Sequence, residues 1–114
     1  MSVEIVIRAL INGLAVWIAS YVLPGVNVDG FFTAIVVAVI LGIVNAFLKP
    51  ILVLLTIPIT VLSLGLFIFV INALLILLVA RIVPGFTVEN FWWALAFSLV
   101  LSIVNSFLHS LSQP

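Results

Sequence analysis

The 114-residue chain has no cysteine, three Lys or Arg, three Asp or Glu, and one histidine. Without cysteine there is no disulfide, no thiolate nucleophile and no cysteine-ligated metal, and the redox compartment is left open. Three cations balanced by three anions provide no basic surface for nucleic acid and no polybasic patch for anionic lipid. A lone histidine, His109, is not a metal site. No serine has a His/Asp partner set, and no glycine-rich phosphate loop occurs. These shortages point away from an enzyme, from any metal or cofactor, and from a small-molecule substrate.

What the chain has in excess is hydrocarbon. Hydrophobic residues make up 68% of it and the mean hydropathy is +1.66, against about 45–50% apolar residues in an ordinary soluble domain. A globule this small leaves much of its surface in water and has too little interior to hide so many apolar groups. The lipid bilayer is therefore the expected solvent. The N-terminal MSVEIVIRAL lacks a small-x-small cleavage site and reads as the start of a first membrane helix. Glu4 and Arg8, four residues apart, suit an ion pair on that helix.

A crossing needs about 20 apolar residues. Residues 3–23 supply one, closed by Pro24-Gly25 and followed by the polar hairpin VNVDG. Residues 31–48 supply a second, opening on Phe31-Phe32 and closing at Lys49-Pro50. The next 33 residues, 51–83, are too few for two crossings and too many for one straight helix. The economical reading is a short segment at 51–62, broken by Pro58 and re-entrant or interfacial, then a crossing at 63–83. A last span, 91–110, follows Pro84-Gly85 and opens on Phe91-Trp92-Trp93. The expected fold is thus a single all-α integral membrane domain with four transmembrane helices.

The chain also repeats itself. A shift of 60 aligns 12–50 with 72–110 and leaves thirteen of 39 positions identical, among them Asn12/Asn72, the two Pro-Gly pairs and Asn45/Asn105. Asp29 meets Glu89 and Lys49 meets His109. Two tandem helical hairpins are expected, residues 3–50 and 63–110, joined by 51–62. If 51–62 does not cross, the halves are parallel and both Pro-Gly turns share one face; if it crosses, they are inverted. Arg8 and Lys49 favour the parallel case, with both termini cytoplasmic. Arg81 stands apart from that pattern, close to the outer turn, where it snorkels to the headgroups or pairs with Glu89.

The second helix of each half carries a small residue at every fourth position: Ala34, Ala38, Gly42 and Ala46 in one, Ala94, Ser98, Ser102 and Ser106 in the other. Such stripes let helix backbones approach closely in lipid, where no hydrophobic force drives association. They predict a packing ridge and a homo-oligomer, without deciding whether the ridges meet within one chain or between chains. Asn45 and Asn105 flank the ridge. With Asn12 and Asn72 they are read first as interhelical hydrogen-bonding groups, worth about 0.6–2 kcal/mol each, and second as the lining of a pore or site.

Finally, VNAFLKP, LTIPITVLSLGLF, INALLILL and VPGF resemble the four-span phage-holin superfamily IV, the small bacterial group of YvlD-like membrane proteins. The resemblance covers nearly the whole chain. It implies a four-span protein of the bacterial cytoplasmic membrane and less about activity than the name suggests. With the small-residue ridges, the leading reading is a holin-like protein that self-associates through them and forms or regulates a permeability pathway. The alternatives are a non-pore accessory protein of envelope stress response and, behind it, a small channel or transporter.

Overall fold

A computed structural model describes residues 3–112, excepting the side chain of Ser112. The element order is α1 (Val3–Val22), β1 (Val26–Val28), α2 (Phe31–Leu55), α3 (Ile57–Leu62), α4 (Phe67–Ile82), β2 (Phe86–Val88) and α5 (Phe91–Ser112). Three helices are long and apolar enough to cross a membrane, within Val3–Val22, Phe31–Leu55 and Phe91–Leu111; α4 is equally apolar but shorter. At 1.5 Å per residue its 16 residues span about 24 Å.

The apolar helices stop where the backbone changes chemistry. Leu23-Pro24-Gly25-Val26 and Val83-Pro84-Gly85-Phe86 each close a tight turn, with N–H of Val26 donating to Leu23 O at 3.1 Å and N–H of Phe86 to Val83 O at 3.4 Å. The second turn places Gly85 at φ 87, the left-handed region a type II turn demands after proline. Gly25 is needed for a different reason: a Cβ there would overlap the Trp93 ring.

The turns deliver two three-residue strands that pair antiparallel, Val26 opposite Val88, Asn27 opposite Thr87 and Val28 opposite Phe86. Two more backbone bonds close the ribbon, from Asp29 N–H to Gly85 O and from Glu89 N–H to Gly25 O, both 2.9 Å. Beside the expected helices this ribbon is an addition, made by the segments VNV and FTV. Because the strands pair, α1 and α4 both run toward the ribbon and α2 and α5 both run away from it. Each of the four packs on two neighbours: α1 and α4 both lie against α2 and α5. Among the described residues, α2 and α5 face each other across the bundle without backbone-level contact.

The core sits under the ribbon. Val16, Ala19, Val37, Val79, Phe86 and Phe97 are almost fully buried there, and the Phe86 and Phe97 rings lie 5.7 Å apart. Gly13 lets α1 approach Ile35 of α2 so closely that a Cβ would meet the Ile35 side chain. α5 begins on an Asn90 cap, whose Oδ1 accepts from the Trp93 N–H at 3.1 Å.

The connection between the second and third spans departs from the expected one. The second span does not close at 48: α2 continues through Lys49-Pro50 to Leu55. The proline removes one N–H from the helical ladder, a loss that membrane helices tolerate. Pro58 does not break a segment; it occupies the first turn of α3, where its missing N–H is no loss. α3 ends in a Schellman cap, with Gly65 N–H on Thr60 O at 2.8 Å and Leu64 N–H on Val61 O at 3.1 Å. Leu64 holds the left-handed position at φ 58. Ser63 Oγ then accepts from Phe67 N–H at 3.1 Å, opening α4. No residue of α3 is buried.

Candidate functional site

Away from the ribbon the bundle loosens, and the polar side chains gather there. Asn12 lies about 15 Å along α1 from its ribbon end, and Asn45 about 21 Å along α2, at 1.5 Å per residue. Asn72 and Asn105 hold the same places on α4 and α5, because the helix ends at the ribbon share the repeat offset of 60: Val22 with Ile82 and Phe31 with Phe91. All four side chains line two adjoining cavities. The larger, about 160 Å³, takes Asn12, Asn45 and Asn105, with Ser102 and Gly42. The smaller, about 90 Å³, takes Asn45, Asn72 and Lys49, with Ser98 and Ser102. Leu41 and Leu101 line both cavities and belong to or pack against the apolar core.

The hydrogen bonding is uneven. His109 Nε2 lies 2.8 Å from Asn12 Oδ1, joining the end of α5 to the middle of α1. The geometry has the imidazole N–H donating to the amide oxygen. Ser98 Oγ donates to Leu95 O at 2.9 Å and Ser102 Oγ to Ser98 O at 2.9 Å, so both hydroxyls spend their protons on their own helix. Asn105 Oδ1 is buried without a partner. Lys49, the repeat counterpart of His109, lines the same small cavity as Asn72, the counterpart of Asn12.

The two small-residue stripes are each divided by depth. Ala34, Ala38, Ala94 and Ser98, on the ribbon side, are buried, whereas Gly42, Ala46, Ser102 and Ser106 are exposed. The charges lie elsewhere. Arg8 Nη2 is 2.9 Å from Glu4 Oε1 on the exposed start of α1. Arg81 and Glu89 are both exposed and are not joined in an ion pair; one ends α4 and the other follows β2. Among the described residues no group of three His, Cys, Asp or Glu is placed to hold a metal.

Two contacts escaped the sequence reading: the Asn12–His109 bond and the place of Lys49 in the asparagine-lined cleft. The repeat held the signal for both, since Asn12/Asn72 and His109/Lys49 recur at one offset.

Comparison with known proteins matches the asparagine-bearing bundle to one family. The family described as "Mycobacterial 4 TMS phage holin, superfamily IV" matches residues 3–107. The chain is 33% identical to the uncharacterized membrane protein YvlD of Bacillus subtilis, covering 85% of this chain and 82% of that one. It is 36% identical to the uncharacterized protein SCO3922 of Streptomyces coelicolor, covering 87% of each. No solved structure matches. The chain belongs to the four-span holin superfamily IV and is a membrane protein.

Proposed function

We infer that the chain is a holin-like protein of the bacterial inner membrane that self-associates through the far ends of α2 and α5 and forms or regulates a permeability pathway. One observation carries this reading: the far half of each small-residue stripe, Gly42 with Ala46 and Ser102 with Ser106, is exposed beside a polar cleft in an otherwise apolar chain. Small residues at every fourth position serve close helix approach, and within one chain no helix covers these four. A second copy is the partner whose surface repeats the pattern.

The same reading takes the molecule as two tandem hairpins, related by a pseudo-two-fold axis along the membrane normal. The strand register supports it, because swapping residues 26–28 with 86–88 returns the same pairs. The matched bonds from Asp29 to Gly85 and from Glu89 to Gly25 support it as well. Both termini then lie on the side of Arg8 and Lys49, the cytoplasmic side by the positive-inside tendency. α3, with no buried residue, lies in that interface.

The test is dye efflux from liposomes carrying the purified protein. A permeability protein raises efflux above that of an inert four-span control; efflux equal to the control removes the pathway. The second reading, an accessory protein without a pore, is favoured by the tightly packed ribbon end, where Val37, Val79 and Phe97 are 0% exposed. It predicts self-association without efflux.

A further inference from the structure

We propose that the two adjoining cavities form a hydrated vestibule, open toward the Lys49–His109 end, that binds a small monovalent inorganic anion. The vestibule is lined within each single chain, but Gly42 and Ser102 lie both in its wall and on the face given above to a second copy, so it is tested on single copies. A volume of about 160 Å³ with a neighbour of about 90 Å³ is room for several waters at about 30 Å³ each. Water needs polar partners, and the walls offer carboxamides from all four helices. Asn105 lines the larger cavity, and its Oδ1 is spent on no protein donor.

The sign of the ligand follows from the charges. Lys49 lines the smaller cavity, and His109 holds Asn12 at the wall of the larger. Among the described residues no carboxylate lines either cavity. Glu4, the acidic residue on α1, is engaged with Arg8 on its exposed side. The amide NH₂ groups of Asn45, Asn72 and Asn105 are the donors that would face an anion; Ser98 and Ser102, already donating along α5, contribute only oxygen. Leu41 and Leu101 form the apolar floor against the core, so the vestibule ends there.

The absence of cysteine makes the test direct. Single cysteines are placed at Asn105→Cys in the vestibule and Ile103→Cys on the outer face of the same helix, where residue 103 is 71% exposed. Each full-length variant is reconstituted as single copies in phospholipid nanodiscs. Each is then treated with an anionic sulfonate or a cationic trimethylammonium methanethiosulfonate. Thiolates form and react in water, so N105C is expected to react on the order of tenfold faster than I103C. Relative to their rates on a free thiol, the anionic reagent is expected to gain about fivefold over the cationic one, and Lys49→Gln reduces that gain. Equal rates for N105C and I103C overturn the vestibule. Equal or reversed preference between the reagents overturns the anion assignment. Ser102→Cys, near-isosteric and lining both cavities, gives the same readouts if N105C does not fold.

Discussion

The ribbon end and the far end of this bundle use the same four helices for opposite purposes. At the ribbon end small residues are filled against: Ala34 and Ala94 are 0% exposed and Phe97 completes the core. One or two turns further along the same stripes, Gly42 and Ser102 are exposed and flank a polar cleft. Lipid supplies no hydrophobic drive between helices, so packing quality decides which contacts hold. The ribbon end has the quality, with four backbone hydrogen bonds at its two turns and ribbon ends and the Phe86 and Phe97 rings packed together. The far end has the polar groups and lacks the closure. The same small-xxx-small pattern therefore means intramolecular core in one place and an open face in another, and only the neighbouring elements tell them apart.

The sharpest way to break this contrast is to truncate one phenylalanine from each end of α5. Phe97→Ala is expected to lower the unfolding free energy in detergent by about 3–5 kcal/mol, the range for a buried aromatic. Phe107→Ala, at a site 64% exposed, is expected to change it by less than about 0.5 kcal/mol. Comparable losses at the two sites would mean the far end is packed as well. The glycines give a second contrast. Gly25→Ala forces an overlap with Trp93, whereas Gly42→Ala meets nothing within 4 Å. The first should destabilise by about 1–3 kcal/mol as an overpacked site; the second should be neutral or stabilising, since alanine favours helix by about 1 kcal/mol.

Smaller effects sharpen the far end. Asn12→Leu loses the His109 contact and is expected to cost about 0.6–2 kcal/mol, read by the same unfolding curves. Replacing Asn45 and Asn105 with leucine separates their two readings: glue between copies predicts loss of assembly in mild detergent, while lining predicts intact assembly with altered conductance. The least effect belongs to Glu4→Gln. Its ion pair with Arg8 is exposed on both sides and is expected to be worth about 0.3–0.5 kcal/mol, fading with salt.

Much of the architecture was legible in residue order. Long apolar runs and Pro-Gly punctuation mark the helices and their ends at Val22 and Ile82 within a residue, because a run of hydrocarbon in lipid has only one stable backbone solution. The run-on of α2 past Pro50 was not legible. The rule that helices end before proline rests on one lost hydrogen bond and a ring–carbonyl clash, and α2 runs on through Pro50 for five more residues. Pro58 misled for a related reason, since the same ring that breaks a helix interior starts a helix well. The ribbon was hidden because three residues are too short for alternation to show. At the candidate site the asparagines announced themselves as amides in oil, but their convergence depended on helix depth and on which helices are neighbours. His109 and Lys49 looked like ordinary interfacial charges, and only the fold puts them beside Asn12 and Asn72.

The most direct test of an open far end that a second copy covers is oxidative cross-linking in native membranes. The cysteine-free chain permits one thiol at a time, at Ala46→Cys on the exposed end of the stripe and at Ala34→Cys on its buried end. The account predicts a disulfide-linked dimer for A46C and none for A34C. Failure of A46C to cross-link, or equal cross-linking at both positions, would contradict it.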